Sequence, residues 1–363
     1  MARRIDSPGR DVHTGRGAVS NPAGRFEATQ SVAFDDGWGT LDDADAKPRT
    51  IVTAEQARSI VSYNDSPDIP FDRSLNPYRG CEHGCSYCYA RPSHGYLGLS
   101  AGLDFETRLF AKVNAAELLR HELARKAYKP ARIVIGVNTD AYQPAEREWQ
   151  LTRQVLEVLV QCGHPAGVIT KSALVLRDVD LWADLARRNL AAVHVTLTTL
   201  DRALARKLEP RAPTPERRLE AIAGLAQAGV PVCVMASPLI PGLNDHELEA
   251  ILQRAAEAGA TQASYTLLRL PHEVRDLFTQ WLEVHAPGKA NHVLQLVADT
   301  RAGPERNGDF GVRMRGQGAY AQLMALRFAN AIKRLGLRRD ELPVELSHFR
   351  PPPSAAKGQL RLF

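Results

Sequence analysis

The sequence predicts an α/β chain built on an incomplete (βα)6 barrel, and three observations carry that reading. Short apolar, β-branched runs recur at 74–79, 132–138, 167–171, 192–198, 230–236 and 263–268. Amphipathic helical windows follow them at 112–127, 148–162, 178–189, 215–228, 245–258 and 272–285; strands alternating with helices in this way build a parallel sheet covered on its outer face. The six units fill about 210 residues, short of the ~250 that an eightfold barrel needs.

Residues 1–50 lack a sustained apolar period and are rich in Gly, Asn-Pro and Asp, so they read as a disordered tail. Residues 51–73 carry Ile51, Val52, Ile60 and Val61 and read as a segment docked onto the body. The barrel is assigned to 74–290, with its chemistry expected in the loops after the strands' C-terminal ends. Thr214-Pro215 marks one helix start, and Asn244 with Glu247 resembles a capping box. Residues 291–342 form a basic helical extension containing a helix at 318–335, and 343–363 is a Pro-rich tail.

Composition narrows the function classes. At 44% hydrophobic and 24% charged, the chain is neither disordered overall nor membrane-spanning, since no run approaches ~18 apolar residues. An N-terminus without an apolar run behind its basic residues makes the cytoplasm the expected location. The net charge of +5 is uneven. Residues 301–340 hold nine basic residues (Arg301, Arg306, Arg313, Arg315, Arg327, Lys333, Arg334, Arg338, Arg339) against Glu305, Asp309 and Asp340. A solvated helix face explains such a stretch, and so does a polyanionic partner.

Three of the five cysteines lie in Cys81-Glu82-His83-Gly84-Cys85-Ser86-Tyr87-Cys88, a C-x3-C-x2-C spacing directly after the first predicted strand. Thiolates are the soft ligands of iron–sulfur clusters and zinc. Three of them on one Gly-bearing loop suit three irons of a 4Fe–4S cubane and leave the fourth iron open. The competing reading is zinc held by these cysteines with His83 or His94. It lacks the second cysteine pair such sites usually have. Cys162, at a helix end, and Cys233, inside a strand, read as buried structural cysteines.

On these residues the chain resembles the radical S-adenosylmethionine (SAM) superfamily, whose signature places an aromatic residue, here Tyr87, before the third cysteine. The resemblance covers 70–290. Asn76-Pro77-Tyr78-Arg79-Gly80-Cys81 and Cys88-Tyr89-Ala90-Arg91 look most like the spore photoproduct lyase-related branch, often labelled DNA-repair photolyases. The resemblance implies a 4Fe–4S cluster on Cys81, Cys85 and Cys88, SAM chelated to the open iron, and a 5′-deoxyadenosyl radical that abstracts hydrogen from the substrate. It further implies that Asn138, Thr139 and Asp140, where most of the superfamily has Gly-Gly-Glu, receive the SAM amino group. Lys171 then suits the SAM carboxylate, and Ser172 and Thr198 suit the ribose. Ile240-x-Gly242-x-x-Asp245 is similar to the family's adenine-side motif, with Asp in place of Glu.

Glu209 and Arg211 are read either as partners of the nucleoside or as a plain ion pair. Arg91, His94 and Tyr96 line the substrate mouth or a packed loop, and Trp149, Trp182 and Trp281 belong to the core. Spore photoproduct lyase is expected to use a cysteine just beyond the second strand as a hydrogen donor. Here that stretch reads Val137-Asn138-Thr139-Asp140-Ala141-Tyr142, without cysteine and with Tyr142 expected on a surface loop. The expected reaction is thus lyase-like chemistry on an undetermined substrate with room for a nucleic acid, but not repair of the spore thymine dimer. An electron donor such as flavodoxin or ferredoxin, no membrane and a monomeric state complete the expectation. The alternative is a zinc- or cluster-stabilised nucleic-acid-binding module without SAM chemistry.

Overall fold

In a computed structural model, residues 15–26, 48–301, 310–311, 313–339 and 343–353 are described. Ten strands are found among them: β1 (Ile51–Glu55), β2 (Val61–Tyr63), β3 (Arg73–Leu75), β4 (Tyr78–Arg79), β5 (Arg108–Lys112), β6 (Ile133–Ile135), β7 (Ala166–Thr170), β8 (Ala191–Thr196), β9 (Val232–Leu239) and β10 (Gln262–Leu267). The helices are α1 (Asp104–Thr107), α2 (Ala115–Leu123), α3 (Glu146–Trp149), α4 (Leu151–Gln161), α5 (Val179–Arg187), α6 (Arg202–Leu208), α7 (Pro215–Gln227), α8 (Leu248–Glu257), α9 (Val274–His285), α10 (Ala290–Asp299) and α11 (Gly318–Leu335). The main sheet runs β10-β9-β8-β7-β6-β3-β2. Its six strands from β3 to β10 are parallel and follow chain order, as an open six-unit barrel requires, and β2 adds antiparallel at the edge.

The strands are apolar because both their faces are covered. Val168, Val193, Val195 and Val234 are fully buried together with Val155, Leu156 and Leu159 of α4, Trp182 of α5 and Leu252 of α8. Thr214 caps α7 by accepting from the Arg217 N–H, with Pro215 in the first turn, where its missing N–H costs nothing. The capping box expected from Asn244 and Glu247 does not form. Glu247 instead accepts from Thr199 Oγ1 and the Leu200 N–H, and the Asn244 amide bonds Ile240 N, Thr198 O and Pro238 O.

Three expectations are corrected by packing. The first strand is not continuous over 74–79: Asn76-Pro77 breaks it, and β4 leaves the main sheet to join β5 in a small sheet with β1. The break has a local cause. Pro77 offers no N–H to a ladder, and the Asn76 Oδ1 accepts from the Asn138 and Thr139 amides instead. The tail of 1–50 is ordered where it is described: Arg16, Gly17, Ala18 and Val19 are buried because their backbone and guanidinium find partners on the body. Residues 1–14 and 27–47 lie outside the described residues.

The third correction concerns the basic extension. Arg301 donates inward to the Leu267 and Leu268 carbonyls, Arg313 pairs with Asp68, and Arg327 pairs with Glu249, so three of its cations are committed internally. Arg306 lies outside the described residues, as does 354–363 of the Pro-rich tail; residues 343–353 pack through Phe349 against Tyr128 and His164. Among the described residues no helix is long and apolar enough to cross a membrane.

Candidate functional site: a cysteine loop at the mouth of the sheet

The small sheet launches the cysteine loop over the C-terminal ends of the parallel strands. Cys81 and Cys85 are buried, Cys88 is half-buried, and all three thiols are free. Short backbone bonds shape the loop: Cys81 N–H to the Phe105 carbonyl at 2.9 Å, Gly84 N–H to Cys81 O at 3.3 Å and Cys88 N–H to Cys85 O at 3.3 Å. Gly84 has φ +66°, and a Cβ there would stand 2.5 Å from Glu106 Oε2, so the turn tolerates glycine alone. Arg91 is fully buried and braces the loop from below, donating to Cys85 O at 2.9 Å and to Glu106 at 2.5 Å. Of the two readings of Arg91, the packed loop is the one found. His94 is also buried there, whereas Tyr96 is exposed and stacks on Phe26.

Beneath the loop lies a buried polar network that the sequence reading missed in part. Tyr87 donates its hydroxyl to Glu209, which also accepts from Thr198 Oγ1 at 2.6 Å and from Arg218. Arg211, expected beside Glu209, pairs with Glu82 instead. Burial pushes the Glu209 carboxyl up, but Arg218 and then Lys171 outweigh it and hold it down to about 2. Arg218, on α7, carried no motif; the only signal was a basic residue on the helix face that also holds buried Leu219 and Ile222. The one hydroxyl proton of Thr198 is directed at Glu209, with the Ser237 carbonyl at 3.1 Å, so this hydroxyl is part of the network.

At the end of β6, Asp140 uses both oxygens internally. Oδ1 accepts from the Tyr142 N–H at 2.9 Å and Thr170 Oγ1 at 2.7 Å; Oδ2 accepts from the Lys171 N–H at 2.8 Å and faces His83 Nδ1 at 3.3 Å. Burial raises it, but these donors outweigh that and hold it well below the usual carboxylate range. Asp140 thus ties the cysteine loop, through His83, to the end of β7. Asn138 donates to Ser93 Oγ and Thr139 to the Tyr78 carbonyl. Ser172 caps the turn 173–178. Lys171 brings its ammonium 5.9 Å from the Tyr87 ring centroid, near Cys85 and Glu209. Ile240 is fully buried in one apolar cluster with Cys85 and Tyr87, while Asp245 of the same motif accepts from Tyr320 of α11.

Tyr142 is not on a surface loop. It is fully buried, with its hydroxyl accepting from Trp182 Nε1 at 3.0 Å. Trp182 and Trp281 are core as expected, and Trp149 is only half-buried. Cys162 and Cys233 are buried away from the loop.

The donor set, three thiols on one loop, is compatible with a cluster that leaves one iron open. Among the described residues no three His, Cys, Asp or Glu side chains gather as a single-ion site. His83 Nδ1 faces Asp140, and His94 Nε2 lies 2.9 Å from the Arg108 carbonyl while its Nδ1 is buried without a partner, so each ring is held through one nitrogen. A cubane binds each thiolate to a different iron, which keeps its ligands farther apart than those of one ion. Burial pushes the Cys81 thiol up, and the Cys85 thiol to about 12 against the pull of Lys171. These thiols therefore need the positive charge of bound metal to ionise.

Comparison with known proteins agrees. Residues 75–255 match the model of the radical SAM superfamily. An uncharacterized protein of Mycobacterium tuberculosis is 37% identical over 238 residues, covering 65% of this chain and 69% of that one. A radical SAM Nalpha-GlyT isomerase of Pseudomonas phage M6 is 27% identical over 186 residues, covering 50% of this chain and 36% of the phage protein. Among solved structures, spore photoproduct lyase complexed with dinucleoside spore photoproduct superposes with a TM-score of 0.58 at 15% identity, covering 79% of this chain and 81% of the lyase. The fold is shared at that distance. The chain belongs to the radical SAM superfamily.

Proposed function

We propose that this member of the superfamily is an enzyme that holds a 4Fe–4S cluster on Cys81, Cys85 and Cys88, cleaves SAM and acts on a nucleic acid. The observation that carries it is three free thiols on one braced loop at the mouth of a parallel sheet, with a lysine ammonium beside them. When bound and reduced, the cluster supplies the electron that splits SAM into methionine and a 5′-deoxyadenosyl radical, which takes a hydrogen atom from the substrate.

The protein's own contribution is placement. Lys171 presents a cation for the SAM carboxylate. Asn138 and Thr139 offer polar groups to the ammonium, and Asp140 positions them by fixing the strand end. Ser172 borders the ribose side, and Ile240 supplies the apolar wall beside Cys85. The Tyr87–Glu209–Arg218–Thr198 network keeps Tyr87 rigid against the loop, and the closed surroundings keep water from a reactive radical.

A nucleic-acid substrate is supported by Arg269, just past β10, whose guanidinium lies 6.0 Å from the ring of Tyr89, the residue after Cys88. The lyase that shares the fold binds a dinucleoside lesion, which favours the same class. The missing cysteine beyond β6, and a Tyr142 buried and engaged with Trp182, speak against repair of the spore thymine dimer. A small electron-transfer protein such as flavodoxin or ferredoxin completes the cycle, and the chain acts as a monomer.

The test is anaerobic reconstitution with iron and sulfide, reduction, and assay of 5′-deoxyadenosine. Its formation is expected even without substrate. Full iron uptake with no SAM binding and no 5′-deoxyadenosine overturns the reading in favour of a cluster that is structural only.

A further inference from the structure

The buried stretch at 15–22 does something specific. Gly17 N–H donates to Glu106 Oε2 at 3.0 Å and Ala18 N–H to Oε1 at 2.7 Å, while Arg16 donates to the Glu106 carbonyl at 3.1 Å and to the Thr50 hydroxyl at 2.9 Å. Glu106 is itself fully buried and shares Oε1 with Arg91, the residue that holds the Cys85 carbonyl. The contact to the loop is tight: a Cβ on Gly17 would stand 1.6 Å from the carbonyl oxygen of Gly84, between the first two cysteines. Further along, Asn21 and Asp104 exchange two hydrogen bonds, Ser20 donates to Gln280 of α9 at 2.6 Å, and Arg25 pairs with Glu273 at 2.7 Å. The segment therefore runs from the first barrel unit to the last.

We propose that residues 15–26 are a strap that seals the cysteine loop from outside, and that Glu106 is the positioning residue that couples strap to loop. Two strap amides and the Arg91 guanidinium converge on the Glu106 carboxylate, and Arg16 holds the Glu106 carbonyl, so the carboxylate loses two of its three donors when the strap is released. With the strap released, Glu106 and Arg91 lose that order and the Cys85 carbonyl loses its anchor. A seated strap lowers solvent access to the thiols and slows loss of whatever they bind. This rests on the cysteines holding a cluster, as proposed above, but its first readout does not.

The experiment uses the full chain carrying Gly17→Ala, with Ala23→Ser, an exposed change in the same segment, as control. In metal-free protein, iodoacetamide labelling of each cysteine is followed by mass spectrometry. Cys85 is expected to label about tenfold faster in Gly17→Ala, the scale of a 1.4 kcal/mol local opening, while the remote Cys162 keeps its rate. In reconstituted protein, the visible absorption of the cluster should bleach faster in air by a similar factor. Arg16→Ala should shift both readouts in the same direction by less. Unchanged Cys85 labelling and bleaching overturn the strap, and equal acceleration at Cys85 and Cys162 overturns it too, by making the segment part of the global fold. Wild-type protein that takes up no iron overturns the cluster reading and leaves the labelling comparison intact.

Discussion

The two ends of the parallel sheet hold their buried charges differently. At the C-terminal mouth, charges are buried in pairs: Arg91 with Glu106 and Arg218 with Glu209, all four at most 2% exposed. At the N-terminal end Arg73 is buried at the start of β3, but its partner Asp72 is exposed, and its guanidinium lies over the rings of Tyr63 and Tyr128. His164, at 0% exposure, faces the Tyr128 hydroxyl at 2.7 Å and packs edge-on against Phe349. A buried ion pair is a poor source of stability, because desolvation consumes most of its Coulomb energy. The concentration of fully buried pairs under the cysteine loop marks where geometry is maintained at the expense of stability, whereas at the aromatic end the buried cation Arg73 keeps an exposed partner.

The sharpest break of that contrast comes from the cysteines. Replacing Cys81, Cys85 or Cys88 by Ala should abolish the intact cluster after reconstitution, because an iron without its thiolate is exposed and lost. Cys162→Ala, at the opposite end, should leave iron and sulfide content at the wild-type level. Retained iron in any of the three loop variants would move the ligand set.

Next in size is the asymmetry in stability. Arg218→Met leaves the Glu209 carboxylate buried beside only hydroxyl donors and a more distant lysine, and should cost roughly 3–5 kcal/mol. Phe349→Ala at the other end removes a half-buried ring and should cost about 1–2 kcal/mol. Urea denaturation measures both. Equal costs would mean that the mouth's ion pairs are ordinary packing.

How much of this was legible beforehand divides along the same line. The six strands and their helices were readable because apolar periodicity reports burial directly, and both faces of these strands are buried. That the three cysteines share one loop was readable because they are adjacent in the chain. Arg218 was not, because it meets Glu209 only through the packing of α7 under the loop, and nothing local distinguishes it from Arg217, its exposed neighbour. The strap was hidden for a related reason: Gly17 and Ala18 bury backbone donors against Glu106, and backbone hydrogen bonding leaves no hydrophobic pattern to see. Tyr142 was misplaced because a tyrosine in a polar turn reads as exposed, whereas Trp182 supplies the partner that lets it be buried.

The buried groups should respond to acid in two windows. Burial lowers His164 from 6.5 to about 4. The unfolded chain therefore takes up a proton first, and the stability contributed by neutral His164 is complete above pH 6.5 and lost as pH falls toward 4. Glu209, held to about 2 against an ordinary 4.5, contributes stability above pH 4.5 that is lost only as pH falls toward 2. Burial lowers His194 to about 4 and lowers His94 too, so the unfolding free energy measured in urea should decline in the wild type from pH 7 to pH 4.5, with His164 supplying on the order of 2–3 kcal/mol of the decline. His164→Gln should remove that share and leave the share of the other buried histidines. An unchanged slope in the variant would assign the acid sensitivity to another group.

The smallest expected effect asks which end a nucleic acid meets. Lys333, Arg334, Arg338 and Arg339 are exposed, and Arg338 bonds the backbone at Thr261 and Ala263, where β10 begins, so this charge lies toward the N-terminal end of the sheet. Arg269 lies past the other end of the same strand, where its contacts are the Tyr89 ring and the Met314 sulfur rather than a carboxylate. Each cation that neutralises a phosphate steepens the dependence of log affinity on log salt by roughly 0.7 for a single strand. Arg269→Ala should therefore weaken binding of a labelled single-stranded oligonucleotide a few-fold and make its salt dependence shallower by about that amount. Arg338→Ala with Arg339→Ala, far from the mouth, should change affinity by less than about twofold, since charges beyond the ~10 Å Debye length are screened. Titrations at two salt concentrations separate the cases. The reverse order of effects would place the nucleic acid on the helical extension, away from the cysteine loop, and would detach substrate binding from the end of the sheet where the buried ion pairs are.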